Sequence, residues 1–146
     1  MVVYIAGPLF SDGERVFNER VDKLIRECGF ETYLPQRDGG IVAQMPDFID
    51  GLPKETFVFR KDLENLRGSD LFLFLMDGRV PDEGASVALG YCLAYGKRCI
   101  GYKSDSRSGY DSKDNIMLLG ALETILHNEE ELKKFFTSLA AENHQK

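Results

Sequence analysis

Residues 70–103 read DLFLFLMDGRVPDEGASVALGYCLAYGKRCIGYK, and the organisation of the whole chain follows from how this stretch is read. DLFLFLM (70–76) is apolar almost without alternation, the pattern of a central strand buried on both faces. A turn rich in Gly, Pro and acid follows, then an apolar segment from about Ala85 to Tyr95 that the spacing makes a helix. RCIGYK (98–103) is a further short strand. Strand, helix, strand in that order implies parallel strands joined by a right-handed crossover. Within the helix, Val87, Tyr91 and Ala94 are expected to face the sheet, with Gly90 allowing close approach.

The same alternation runs outward in both directions. VVYIAG (2–7) is a strand ended by Gly7-Pro8, and in GERVFNERVDKLIRECG the residues Val16, Phe17, Val21, Leu24, Ile25 and Cys28 share one helical face before Gly29 stops it. FETYL (30–34) is a second strand closed by Pro35. Residues 36–53 read as one long loop, a length often associated with function. KETFVFRKDLENLRGS is the next helix. Beyond residue 103 a polar loop, SDSRSGYDSKD, leads to a helix near 116–127 and an amphipathic helix near 129–141. There is no internal repeat and no linker, so residues 1–146 are read as a single domain.

Composition narrows the function classes. With 43% apolar and 29% charged residues the chain is globular. A net charge of −6 without a long Lys/Arg run argues against nucleic acid as a partner. No segment approaches the ~20 apolar residues of a membrane span. The first residues, MVVYIAGPLF, lack the basic lead-in of a secretory signal and read as a buried strand. Cys28, Cys92 and Cys99 are odd in number and show no metal-ligand spacing, which suits reduced thiols in a cytoplasmic protein. With only His127 and His144, both in polar C-terminal segments, no metal site is expected. Walker A and GxGxxG patterns are missing, and no cofactor is expected.

In a parallel α/β sheet, ligands bind beyond the carboxyl ends of the strands. That rule gathers AGPLF, PQRDGG and DGRVPDEGA around one crevice. Four carboxylates are candidates there: Asp62 on the third helix, Asp77 after the central strand, and Asp82 and Glu83 in the turn. Each has a structural alternative, as turn residue, helix-terminal charge or surface charge. Their convergence suits acid–base work on a glycosidic bond. Phe10 is either a packing aromatic or a stacking face for a flat ring, and Tyr4 either a core residue or the group that orients a carboxylate.

YIAGPLF, DLENLRGSDLFLFLMDGRVPDEGASVALGYCLAYGK and DNIM, in this order and spacing, resemble the nucleoside 2-deoxyribosyltransferase family over roughly residues 3–120. The resemblance implies an α/β fold of flavodoxin-like, doubly wound type: a mostly parallel sheet of four to five strands with helices on both faces. It implies cleavage of the N-glycosidic bond of 2′-deoxynucleosides and transfer of the sugar to another purine or pyrimidine base, through a covalent deoxyribosyl-glutamate. The nucleophilic glutamate belongs where this chain has Ala88. By the same resemblance Tyr4 positions the nucleophile, Gly7 and Phe10 line the base pocket, and Asp62 and Asp82 bind and protonate the base. Asp77 joins the substrate-binding set, and Gln36 or Asp38 falls near the base-contacting loop. Asn115, accompanied by Met117, reaches the sugar 5′-hydroxyl from a neighbouring subunit, so the expected protein is a homo-oligomer; Asn115 reads equally as a helix N-cap. Glu83, five residues before Ala88, is out of phase to replace the missing carboxylate. The intact surroundings of Ala88 favour a deliberate Glu→Ala substitution over natural loss of catalysis. Two rival readings are a hydrolase of deoxynucleoside 5′-monophosphates, for which Arg107 in its Ser-rich loop would hold the phosphate, and a nucleoside-binding pseudoenzyme.

Overall fold

The computed structural model describes residues 1–107 and 114–143; the predicted serine-rich loop beyond Arg107 and His144 lie outside the described residues. The chain folds as β1 (Val2–Ala6), α1 (Asp12–Glu27), β2 (Glu31–Tyr33), α2 (Pro35–Asp38), a 3-10 turn (Val42–Gln44), β3 (Phe48–Ile49), β4 (Leu52–Pro53) and α3 (Lys54–Gly68). It continues with β5 (Leu71–Leu75), α4 (Glu83–Ala94), β6 (Arg98–Tyr102), α5 (Ile116–Ala121), β7 (Thr124–Leu126) and α6 (Glu129–Asn143). Five strands form one sheet in the order β2-β1-β5-β6-β7, with every neighbouring pair parallel. This is the expected α/β, doubly wound architecture. The winding reverses between β1 and β5, which opens a crevice at their carboxyl ends.

Local chemistry sets the boundaries that frame this crevice. Ser11 caps α1 in a reciprocal capping box with Glu14, so the turn after β1 is pinned at its far end. Gly29 (φ 91°) reverses the chain after α1 in a conformation that favours glycine. Asp82 caps α4 by accepting from the Ala85 amide.

The sheet separates two hydrophobic layers. Alternate residues of β1, β5 and β6 point to α1 and α6, where Val21, Ile25, Leu132, Phe136 and Leu139 cover them. The other residues of those strands meet Leu66 of α3 and Ala85, Leu89 and Cys92 of α4.

Four expectations need correction. The helix predicted near 116–127 ends at Ala121, and Thr124–Leu126 instead forms the edge strand β7 beside β6. On α4 the buried residues are Ala85, Leu89 and Cys92, while Val87, Ala94 and Gly90 are exposed. From Ala85 to Ala94 only Ser86 is polar, so the periodicity has no unique phase and sheet packing chooses it. Val16 of α1 is exposed rather than part of the buried face. The 36–53 loop is not structureless, since it holds the end of α2, the 3-10 turn and a small antiparallel hairpin. Among the described residues, no helix is long and apolar enough to cross a membrane.

Candidate active site

The site is built on a row of aromatic rings. Tyr4 of β1 is in register with Tyr33 of β2 on one side and with Phe72 of β5 on the other. Register partners share a face of the sheet, and the rings stack at 5.0 Å and 6.1 Å between centroids. The row lies under α3 and α4. Asp62 of α3 comes down onto it, and the Tyr4 hydroxyl donates to Asp62 Oδ1 at 3.4 Å.

Burial raises the pKa of Asp62 above the ordinary aspartate range, against the opposing influence of the Tyr4 hydrogen bond and Lys61. Burial, helped by the Asp62 charge, also raises Tyr4 far above the usual phenol, so it stays a donor. A carboxyl whose pKa is raised, beside a phenol that keeps its proton, is suited to general-acid work.

Ala88 packs against the same cluster as Tyr4 and Tyr33. Asp82 stands six residues earlier, at the mouth of α4; its Oδ1 accepts from the Ala85 amide at 2.7 Å, and its carbonyl accepts from Ser86 Oγ at 2.7 Å. Glu83 is displaced from Ala88 by about 140° around the helix. It lines, instead, a cavity of about 940 Å³ between α4 and α5, together with Val80, Ser86, Leu93, Asn115 and Met117. None of Tyr4, Asp62 and Ala88 lines that cavity.

The remaining candidates divide by what already holds them. Gly7 lies where β1 leaves the sheet, and a Cβ there would meet Leu75 Cβ at 2.7 Å, so this close approach requires glycine. The Phe10 amide donates to Glu14, while its ring is 77% exposed; it is not a core aromatic. Gln36 is spent on structure, donating to the Arg15 carbonyl and accepting from Asn18. Burial works against ionisation of Asp38, but Arg37 and the Leu34 amide outweigh it and hold the carboxyl below its usual range. Asp77 accepts from the Ser104 amide and hydroxyl and from the Asp105 amide, which ties the segment after β6 to the end of β5. Asn115 caps α5 by accepting from the Met117 amide at 2.9 Å, and Met117 is exposed. Arg107 is paired with Asp105. No group of three or more His, Cys, Asp or Glu among the described residues could hold a metal ion.

Tyr33 was not singled out in the sequence. A tyrosine in a short strand is ordinary, and only the β1–β2 register sets it against Tyr4. Its hydroxyl is buried without a partner among the described residues.

The family model described as "Nucleoside 2-deoxyribosyltransferase" matches residues 3–121. The chain belongs to that family. Membership in the nucleoside 2-deoxyribosyltransferases carries deoxyribosyltransferase-type chemistry on nucleosides and bases. Among curated proteins none matches the chain. Among solved structures, a conserved protein from Enterococcus faecalis is 24% identical, with a TM-score of 0.81 over 95% of this chain and 98% of that one. A 2-deoxyribosyltransferase from Bacillus psychrosaccharolyticus is 21% identical, with a TM-score of 0.73 over 91% of this chain and 90% of that one. A CMP N-glycosidase from Clostridium botulinum is 17% identical, with a TM-score of 0.60 over 97% of this chain and 99% of that one. At these identities the likenesses establish the shared fold.

Proposed function

We propose that the protein is the frame of a 2′-deoxyribose transferase whose nucleophile position is filled by Ala88. The observation that carries this reading is the meeting of Tyr4 with Asp62 on the face against which Ala88 packs. In the complete reaction a glutamate oxygen at position 88 bonds to the anomeric carbon as the carbon–nitrogen bond breaks. The bonding pair leaves with the base nitrogen, which takes a proton from Asp62 or Asp82. An incoming base then attacks the anomeric carbon, expels the carboxylate and returns the proton. Two inversions give net retention, with one difficult displacement divided into two easier ones. Tyr4 orients the nucleophile, Gly7 and Phe10 offer a flat face for the base, and Asn115 with Met117 reaches the sugar of a neighbouring subunit.

A methyl group forms no bond to carbon, so the chain as it stands binds 2′-deoxynucleosides and free bases with almost no turnover. We read Ala88 as a replaced glutamate, because Tyr4, Asp62 and Asp82 all remain in place. The exposed Val80, Leu93, Ile116 and Met117 beside the α4–α5 cavity support a homo-oligomer that covers this apolar surface. No cofactor, nucleic acid or membrane takes part, and the cytoplasm is the fitting compartment for three free thiols.

The test compares the chain with its Ala88→Glu variant, each given deoxyinosine with and without adenine. Deoxyadenosine formed by Ala88→Glu alone, at roughly 10⁴-fold or more above the parent, is the expected outcome, the scale of a missing nucleophile. Equal release of hypoxanthine with and without adenine would favour hydrolysis instead. Exposed Arg79 beside the cavity favours that second reading, with a deoxynucleoside 5′-monophosphate as substrate. Binding without turnover by either protein would make it a nucleoside-binding pseudoenzyme.

A further inference from the structure

The buried Tyr33 hydroxyl has no partner among the described residues, although an unsatisfied polar atom inside a protein costs roughly 1–3 kcal/mol. Its ring lies on that of Tyr4, 25° from parallel, so the two phenols leave the sheet on the same side. Tyr4 already reaches Asp62, but through a long 3.4 Å bond that leaves most of the carboxyl's accepting capacity unused.

We propose that Tyr33 is a positioning residue for Asp62: its hydroxyl, without a partner among the described residues, donates to the Asp62 carboxylate whenever that carboxyl ionises. The neighbours leave Asp62 as the available acceptor. Asp38 is committed, through both oxygens, to Arg37 and the Leu34 amide. Lys61 Nζ donates to the Asp38 carbonyl at 3.2 Å, and Cys92 of α4 is a buried thiol whose pKa burial pushes up to about 12. Burial, with the Asp62 and Asp38 charges, pushes the Tyr33 hydroxyl up to about 12, so it keeps its proton across the working range and feels the Asp62 charge.

The consequence for transfer rests on the proposed function; the contact itself does not. When Asp62 hands its proton to the departing base, a half-buried carboxylate is left behind. The Tyr33 O–H turns to it and keeps its own proton. In that step the Asp62 O–H bond breaks and the base N–H bond forms, the glycosidic pair goes to the base nitrogen, and a glutamate oxygen at position 88 bonds to the anomeric carbon.

The experiment is a titration of the Asp62 carboxyl by carbon NMR in protein labelled at aspartate, with the signal assigned by its loss in Asp62→Asn. The parent chain is compared with Tyr33→Phe and Tyr4→Phe. Removing a donor to the charged form raises a carboxyl pKa, so Tyr33→Phe should raise the midpoint by about one pH unit, the scale of one charge-assisted hydrogen bond. Fluorotyrosine at position 33 keeps the ring stack and is a stronger donor, and should lower the midpoint. A midpoint unmoved in both Tyr33 variants overturns the proposal, whatever Tyr4→Phe does. In the Ala88→Glu background, the alkaline limb of the transfer rate should move with the NMR midpoint. A midpoint that shifts while the Ala88→Glu protein shows no transfer activity would sink the proposed function and leave the Tyr33 contact standing.

Discussion

On the face covered by α1 and α6, β5 contributes Leu71, Leu73 and Leu75; on the face under α3 and α4 it contributes Phe72 and Phe74. The first layer is Val, Leu, Ile and Phe with one tyrosine, Tyr102. The second mixes Phe with Tyr4, two cysteines and alanines, and has Tyr33 and Ala88 at its margin. Every titratable group of the candidate chemistry belongs to this second side. A strand's period of two lets one sheet do both jobs: alternate residues stabilise the fold on one face and carry polar chemistry on the other. The apolar layer supplies stability that a partly polar layer supplies less of.

Three probes test this division, beginning with the largest expected effect. Leu73 is fully buried in the apolar layer, so Leu73→Ala should cost about 2–5 kcal/mol in denaturant unfolding. Tyr4→Phe on the opposite face removes one long hydrogen bond and should cost no more than about 1 kcal/mol. Equal losses would erase the contrast between the two layers.

The second probe sharpens the contrast at the rim of the polar side, where Ile116 is 78% exposed beside the α4–α5 cavity. Ile116→Asp should convert the proposed oligomer to monomer in sedimentation, with circular dichroism unchanged. A parent chain already monomeric at micromolar concentration would remove the need for a covered surface there.

The smallest effect is expected at Asp62. A carboxyl whose pKa is raised by folding contributes stability at low pH that is lost as pH rises through the folded-state value. Asp62→Asn removes the cost of a half-buried charge and can still accept from Tyr4. The variant should therefore melt slightly above the parent at pH 7, and together with it below the ordinary aspartate pKa. A lower melting temperature at pH 7 would mean that the charge stabilises the fold.

Much of the fold was legible because its signals are short-ranged. β1, β2, β5 and β6 are compact apolar runs punctuated by Gly, Pro or polar turns, and α1 carries its own capping box. β7 was not legible, since three residues are too few to show a period and only pairing with β6 makes Thr124–Leu126 a strand. β3 and β4, of two residues each, escaped for the same reason. In the site, Asp62, Asp82 and Tyr4 were nominated as candidates by residue type, by their place near the sheet's carboxyl edge and by the family resemblance. Nothing local in the sequence distinguishes them from Gln36, Asp38 and Asp77, whose side chains are occupied in holding loops.

What the chain's sequence determined by itself was the alternation of strands and helices, the caps, the inventory of carboxylates and the methyl group at position 88. These depend on residues within a few turns of one another, where propensity and apolar period act directly. Tertiary structure alone decided the face of α4 that is buried, the pairing of Tyr33 with Tyr4, and the contact of Tyr4 with Asp62 across 58 residues. Those depend on strand register and on how a crossover helix settles on the sheet, which no local window contains.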